Sequence, residues 1–283
     1  MAIRIDGKRI SAEIRAEIKE ETAAFARERG YLPGLAVVIV GEDPASQVYV
    51  RNKKRACEEV GFYSEVHELP EQTTQKELNA LVERLNADQK IHGILVQLPL
   101  PKHLDENEVL LRIDPSKDVD AFHPLNVGKI MIGDYDFLPC TPAGVMALLE
   151  RSGIDPAGKK CVVIGRSNIV GKPMAMLLLH ANGTVTVCHS KTRELAAVCR
   201  EADILVVAIG RADFVGADMV KEGAVVIDVG MNRRADGKLT GDVDFDAVEP
   251  IASAITPVPG GVGPMTITML LKNTLTAAKK KNH

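Results

Sequence analysis

Two side chains near the start of the chain, Tyr49 and Lys53, have types and a spacing that suit proton transfer. They are four residues apart in a segment with a helical pattern, so a helix would present both on one face. A lysine whose charge is disfavoured by burial or by a neighbouring cation can act as a base near neutral pH. Lys54 and Arg55 follow directly. Spacing alone therefore favours the other interpretation, an exposed basic helix face.

Further polar groups lie in the same half of the chain. Gln97 interrupts the apolar run GILVQL (93–98), near the carboxyl end of a predicted strand, where open α/β sheets bind ligands. A satisfied core amide and a binding-site amide fit it equally well, since a buried amide without a partner costs about 1–3 kcal/mol. Asp118 and Asp120 could bind a metal or cap a turn, and the lack of further ligands nearby argues against a metal. His123 is interpreted as structural.

The segment CVVIGRSNIVGKPMAMLLL (161–179) is the strongest local signal for a nucleotide. An apolar strand ends at Gly165, and a helix is predicted to open near Gly171, with Pro173 in its first turn. The free N–H groups of such a helix suit a pyrophosphate that approaches the backbone closely. The spacing GxSxxxG differs from GxGxxG, so the alternative is a strand–helix turn without a ligand.

The next predicted strand, TVTVC (184–188), favours NADP over NAD. NAD-binding domains place an acidic residue about twenty positions after the glycine-rich turn. Here Ser190, Thr192 and Arg193 follow the strand, with no carboxylate before Glu194. These groups, with Arg166, suit a 2′-phosphate. The alternative is that they only cap a helix.

These residues are set in an alternation of β-rich runs and amphipathic segments, which predicts an α/β fold with parallel sheets. Helices are predicted at 10–29, 45–60, 74–87, 143–152, 171–181 and 193–201, and strands at 34–41, 93–98, 161–165, 184–188, 203–209 and 224–229. The proline-rich region 99–142 fits few regular elements. We predict two domains, 1–140 with 265–283 and a Rossmann-type domain at 141–264, the C-terminal helix returning to the first.

Composition sets limits on function. The 283 residues are 46% hydrophobic with a net charge of −3, so no global field attracts nucleic acid or anionic membranes. The N-terminus lacks the apolar core of a signal peptide, and no apolar run is long enough to span a membrane. The five cysteines are irregularly spaced and predict reduced, buried thiols in a cytoplasmic protein.

Taken together, several segments resemble the bifunctional methylenetetrahydrofolate dehydrogenase/methenyltetrahydrofolate cyclohydrolase family. The resemblance covers nearly the whole chain in order. The matching segments are PASQVYVRNKKRACEEVGF (44–62), GILVQLPLP (93–101), KDVDAFHPLNVG (117–128), PCTPAGV (139–145), GRSNIVGKP (165–173), VIDVGMN (226–232) and TPVPGGVGPMT (256–266).

The resemblance implies roles that spacing does not. Lys53 would transfer the proton, Tyr49 would position the folate, Gln97 would hold Lys53, and Asp120 would accept hydrogen bonds from the pterin ring. The implied cofactor contacts are Gly165, Arg166, Ser167, Ser190 and Met231, and the implied folate-lining turn contains Gly263 and Pro264.

The resemblance also implies an activity. NADP would oxidise 5,10-methylenetetrahydrofolate to the methenyl form, and water would then open that cation to 10-formyltetrahydrofolate, in a cleft between the domains and without a metal. A neutral amine at Lys53 could take the proton from water. The resemblance further implies a homodimer that pairs through its nucleotide-binding domains, and a role in one-carbon metabolism and purine biosynthesis.

Two departures from the family pattern stand out: Ala121 replaces a usual glycine and Met231 a usual isoleucine. Alanine at 121 is expected to keep that position out of glycine-type dihedrals, and the methionine conserves volume. Two other functions were weighed: an NADP-dependent dehydrogenase of another small alcohol, such as a shikimate-type substrate, and a non-catalytic NADP sensor. The GILVQLPLP and PVPGGVGPMT segments disfavour the first, and the combined Tyr49, Lys53, Gln97 and Asp120 set disfavours the second.

Overall fold

Strand pairing and packing divide the chain into two α/β units. The computed structural model describes residues 2–281. Residues 13–138 and 267–281 form a three-stranded unit, and residues 2–12 and 139–266 form a six-stranded unit. The strands are β1 (Ile3–Arg4), β2 (Gly34–Val40), β3 (Tyr63–Leu69), β4 (Gly93–Val96), β5 (Lys160–Ile164), β6 (Thr184–Cys188), β7 (Ile204–Val207), β8 (Val225–Asp228), β9 (Asn232–Arg233), β10 (Leu239–Thr240) and β11 (Ala254–Ile255).

Helices cover both sheets. They are α1 (Gly7–Arg29), α2 (Pro44–Val60), α3 (Gln75–Ala87), α4 (Glu106–Arg112), α5 (Pro124–Ile132), α6 (Cys140–Arg151), α7 (Gly171–His180), α8 (Leu195–Cys199), α9 (Phe245–Val248) and α10 (Val262–Lys280). Residues 267–280 of α10 belong to the three-stranded unit. No described helix has the length and apolar character required to cross a bilayer.

In the three-stranded unit, β2 lies between β3 and β4 and pairs with both in parallel. Both β2 and β4 are buried along their whole length, which explains their continuous apolar sequence. β3 was not predicted. It is an edge strand, half-buried, with the mixed sequence YSEVHEL, and therefore lacks the apolar run by which the other two were found.

The region 99–142 contains more regular structure than predicted, and that prediction was wrong. α4 and α5 lie inside it, and α6 begins at Cys140. The Asp105 side chain caps α4 by accepting hydrogen bonds from Asn107 N and Glu108 N, and His123 Nδ1 accepts from Leu125 N at the start of α5. Helices of 7 and 9 residues are too short to show a clear 3.6-residue period.

The six-stranded sheet has the order β1-β11-β8-β7-β5-β6, and every neighbouring pair is parallel. The predicted α/β class with parallel sheets is therefore confirmed. The first strand of the chain, β1, pairs with β11 near its end, so residues 2–12 pack with the second half. β9 and β10 form a separate antiparallel pair. All five cysteines are free and buried.

Lys117 of the KDVDAF segment has a structural role that sequence analysis missed. It is 8% exposed, and its Nζ donates to the carbonyls of Leu85, Asn86 and Asp88 at 2.7–3.0 Å. These carbonyls lie in and just after the last turn of α3, where the regular helical ladder of hydrogen bonds ends. Burial lowers the pKa of the ammonium, yet three acceptors compensate its charge. Lys117 therefore holds the loop before Asp118 against α3.

We expect Lys117→Met to lower the free energy of unfolding by about 3 kcal/mol, because three inward-facing carbonyls lose a charged donor. Urea unfolding followed by circular dichroism measures the change. Lys76→Met on the exposed side of α3 is the matched control and should stay within about 0.5 kcal/mol of wild type. Equal losses in the two variants would contradict this role.

Candidate active site

Lys53 and Gln97 form the centre of the candidate site in the three-stranded unit. Lys53 Nζ donates to Gln97 Oε1 at 2.8 Å. Lys53 is 8% exposed, whereas Tyr49, one helical turn earlier, is 41% exposed. The exposed basic face that was weighed as an alternative describes Lys54 and Arg55 but not Lys53. A buried amine beside an accessible phenol can meet a substrate without being open to bulk water.

The helix that carries Lys53 is well defined at both ends. Pro44 lies in the first turn of α2, and the Asp43 side chain caps it by accepting from Ser46 N at 2.8 Å. The helix ends at Gly61, whose φ of 81° is left-handed, as is common for glycine at a helix C-terminus. Tyr49 and Lys53 are thereby placed one turn apart on a rigid element.

Gln97 follows β4 directly and is held at both ends. Its backbone N–H donates to Val38 O, and its side-chain Nε2 donates to Leu98 O, each at 2.8 Å. With Nε2 used in this way, Oε1 is directed to Lys53 Nζ, a group that can only donate while protonated. Gln97 is a satisfied amide, because its Nε2 donates within the protein. It is also a site amide, because its Oε1 accepts from Lys53 Nζ.

The aspartates after β4 have different surroundings. Asp118 is 2% exposed, and its carboxylate accepts from His123 N and Asn126 Nδ2, each at 2.8 Å. Of the two alternatives for this residue, a metal ligand and a turn cap, the structure shows the turn cap. Asp120 is only half-buried. Among residues 2–281 no group of three or more potential metal ligands occurs.

Ala121 does not keep out of the left-handed region, and that expectation was wrong. Its φ is 57°, a conformation that costs an L-residue roughly 1–2 kcal/mol and glycine little. The side chain is fully buried, and Ala121 N donates to Asp118 O at 3.0 Å. The turn that carries Asp120 thus keeps the backbone form suited to glycine and accepts alanine at a modest cost.

In the six-stranded unit, the predicted cofactor loop follows β5. Gly165 has a φ of 131°, and a Cβ there would lie 2.3 Å from Ala208 O. A Cβ on Gly171 would lie 2.3 Å from Gly165 O. The Ser167 hydroxyl accepts from Val170 N and Gly171 N at 3.2 and 3.3 Å, so it holds the backbone that leads into α7. The turn requires both glycines, and a ligand can approach its backbone closely.

A cavity of about 320 Å³ adjoins this loop. It contains three predicted cofactor residues, Gly165, Arg166 and Ser190, and its wall is completed by Ile164, His189, Leu195, Ala208, Ile209, Arg211 and Phe214. These residues follow or end β5, β6 and β7, at the carboxyl edge of the sheet, where doubly wound folds bind nucleotides. No carboxylate of residues 2–281 is among the side chains that line it. The residues present therefore fit an anionic dinucleotide.

Arg211 and Phe214 were not predicted as site residues. Both come shortly after the apolar run 203–209, and the rule that ligands bind at strand carboxyl ends could have identified them. A second cavity, of about 330 Å³, is lined by Lys159, Asp203 and Lys221 among others. These residues adjoin the amino ends of β5, β7 and β8, away from the edge at which such sheets bind ligands.

Met231 and Gly263 lie close together in the same unit. Met231 is 45% exposed, and its Cε is 3.0 Å from the place of a Cβ on Gly263. The backbone before Met231 is held by Asp228, which accepts from the amides of Gly230, Asp242 and Val243 at 2.9 Å each. Burial raises the pKa of Asp228 to about 7. Pro264 O accepts a long hydrogen bond, 3.4 Å, from Ser11 Oγ.

The fold and these two groups of residues define a class: a two-unit α/β enzyme with a dinucleotide site in one unit and a buried lysine in the other. Two family models match the chain. The catalytic domain of tetrahydrofolate dehydrogenase/cyclohydrolase matches residues 5–120, and the NAD(P)-binding domain of the same enzymes matches residues 139–282.

The chain is also similar to individual members. It is 64% identical to the bifunctional protein FolD of Moorella thermoacetica over 98% of each chain. The crystal structure of FolD from Campylobacter jejuni has a TM-score of 0.96 at 53% identity, over 99% of each chain. The Trypanosoma brucei enzyme, solved with NADP cofactor and inhibitor, has a TM-score of 0.94 at 44% identity, over 99% of this chain and 98% of that one.

The chain belongs to the tetrahydrofolate dehydrogenase/cyclohydrolase family. It is an NADP-dependent enzyme of folate one-carbon metabolism with dehydrogenase and cyclohydrolase activities. The two other functions that were weighed, a dehydrogenase of a shikimate-type alcohol and a non-catalytic sensor, are therefore wrong.

Proposed function

We propose that Lys53 is the proton-transfer residue of the hydrolytic step on the folate, with Tyr49, Gln97 and Asp120 around it. The observation that carries this proposal is the 2.8 Å hydrogen bond between the buried Lys53 Nζ and Gln97 Oε1. The bond to Gln97 fixes the position of the amine, and the methenyl cation, when bound beside it, would disfavour the charged form of the amine. Gln97 acts as the positioning residue.

The first step oxidises the methylene carbon that bridges two nitrogens of the folate. NADP, when bound, accepts the hydride. Tyr49, accessible on α2, positions the folate ring system, and the half-buried Asp120 accepts hydrogen bonds from the pterin. Holding the reacting groups in a defined geometry is the main contribution that a protein makes to such a transfer. The product is a methenyl cation.

The second step adds water to that cation. Lys53, as the neutral amine, takes a proton from the attacking water, and Gln97 keeps the amine in place. The ring then opens to the formyl product. A permanently charged ammonium would be repelled by the cation and could not accept the proton. Exposed cations on the same unit, Arg51, Lys54 and Lys102, are candidates to bind the acidic glutamate tail of folate.

For the cofactor, we propose that the glycine turn at Gly165 takes the pyrophosphate and that Arg166, Ser167 and Ser190 take the 2′-phosphate side. Arg166 and Ser190 are exposed and line the same cavity. Met231 is proposed to cover the cofactor, and Gly263 and Pro264 to line the folate turn. We also propose two domains that divide near residues 140 and 265 as in the sequence analysis, except that residues 2–12 join the second domain. We further propose a cytoplasmic location and a role in purine biosynthesis.

An absorbance assay tests the two activities. Purified protein with methylenetetrahydrofolate and NADP should form reduced cofactor, and with methenyltetrahydrofolate alone it should bleach the methenyl chromophore. If the protein reduces NADP but bleaches the methenyl chromophore no faster than buffer alone does, the proton-transfer role of Lys53 is contradicted.

We further propose a homodimer that pairs through the edge of the six-stranded sheet at β6. This strand has five residues and, among the described strands, a neighbour on one side only. It exposes Thr184, Thr186 and Val187. An exposed edge strand is a ready template for pairing with a second copy, and a two-fold axis would use the same edge twice. The other edge, β1, has only two residues.

Val187→Lys should therefore convert the dimer to a monomer in sedimentation velocity, since two facing lysines repel and cannot pack. Ile3→Lys is the matched control, because Ile3 is 69% exposed on the opposite edge, and it should leave the dimer intact. A dimer that persists in the Val187 variant would show that β6 is not the interface.

A further inference from the structure

Arg211 lines the nucleotide cavity from the loop that follows β7, whereas the glycine turn follows β5. The backbone at Arg211 is held by one buried carboxylate. The carboxylate of Asp242 accepts from the backbone amides of Ile209, Gly210 and Arg211 at 2.7, 3.0 and 2.7 Å. Asp242 is fully buried. Three consecutive amides bound to one buried anion fix the direction in which the Arg211 side chain leaves the chain.

The Arg211 side chain contacts an aromatic ring. Its guanidinium carbon lies 4.2 Å from the centroid of the Phe214 ring, a stacked cation–π arrangement. Phe214 in turn packs against the apolar core of the six-stranded unit. Within residues 2–281 the guanidinium forms no ion pair. Arg211 is therefore an exposed, planar cation in the cavity wall that lies over the Phe214 ring.

The cavity wall has two chemical characters. Leu195, Ile209 and Phe214 supply apolar surface, whereas Arg166 and Ser190 supply hydrogen-bond donors. The apolar part suits a flat heterocycle, and the polar part suits a phosphate. Arg211 belongs to the apolar part through its contact with Phe214. A planar guanidinium stacks well on an aromatic base because it is weakly hydrated and delocalised.

We propose that Arg211 binds the adenine ring of the cofactor by stacking, with Phe214 behind it as a support. Arg211 then contributes to the binding of any adenosine dinucleotide, while Arg166 and Ser190 distinguish the phosphorylated from the unphosphorylated one. Asp242 is the positioning residue for this platform. The inference rests on the proposed placement of NADP in this cavity.

Calorimetric titration of the full-length protein with NADP and with NAD tests the role of Arg211. Base stacking on a side chain contributes enough that Arg211→Ala should weaken both dinucleotides by about tenfold. Arg211→Lys keeps the charge but loses the planar stack, so it should recover less than half of that loss. Arg200→Ala is the control. Arg200 is exposed at the C-terminal end of α8 and donates to Asp218 O, so this variant should bind NADP and NAD as wild type does.

The outcomes separate the possible roles. A loss confined to NADP, or restored by lysine, would make Arg211 a phosphate ligand and overturn the stacking role. Unchanged affinity for both would remove Arg211 from the site. Arg166→Ala reports on the placement itself, since it should reduce the preference for NADP over NAD. If it does not, the proposed cofactor site fails, whatever Arg211 does.

Discussion

Lys53→Arg is expected to abolish cyclohydrolase activity, with a loss of about 10²–10⁴-fold, the range typical of a general base. Arginine keeps the positive charge and can still donate to Gln97, but its guanidinium does not deprotonate near neutral pH. The attacking water would therefore lose its proton acceptor. The rate at which the methenyl chromophore disappears, corrected for the rate in buffer, measures the effect.

An exposed lysine of the same unit supplies a control. Lys76→Arg makes the same chemical change on the surface of α3, and its hydrolysis rate should stay within about twofold of wild type, because surface changes usually have small effects. NADP affinity should be unchanged in both variants, because α2 and α3 belong to the three-stranded unit. A Lys53→Arg variant that hydrolyses the methenyl compound at full rate would sink the assignment of the base.

Gly165→Ala is expected to weaken NADP binding by about 100-fold or more. Its φ of 131° is not one that alanine adopts, and the new Cβ would lie 2.3 Å from Ala208 O. The strand–helix turn must therefore move, and a displacement of about 1 Å at a binding site can cost a factor of that size. Dehydrogenase activity should fall with it at fixed NADP, whereas hydrolysis of the methenyl compound, which consumes no cofactor, should persist.

Gly158→Ala separates this effect from backbone strain in general. Gly158 also has a positive φ, of 70°, but nothing lies within 4 Å of the place of its Cβ. This variant should lose about 1 kcal/mol of stability and bind NADP normally. Titration calorimetry of both variants decides the matter: tight NADP binding by Gly165→Ala would mean that the cofactor does not approach this turn.

The four-residue spacing of Tyr49 and Lys53, and the glycines of the loop at 165–171, could be recognised without coordinates. Both are local properties, since helix periodicity places i and i+4 on one face and a strand–helix turn must have its own backbone form. The apolar runs of β2, β4, β5 and β7 were found for a related reason. Strands buried on both faces require continuous apolar sequence, and this pattern needs no partner to be visible.

Only the tertiary structure decided which of the local alternatives applies. Lys53 is buried rather than part of an exposed basic face because Gln97, 44 residues away, meets its amine. Asp118 is a turn cap because Asn126 and His123 N reach its carboxylate. Arg211 joins the nucleotide cavity because Asp242 holds its backbone from another strand connection. These partners lie 5, 8, 31 and 44 residues away in the chain. Pairing of this kind has no fixed period or spacing in a single sequence from which it could be predicted.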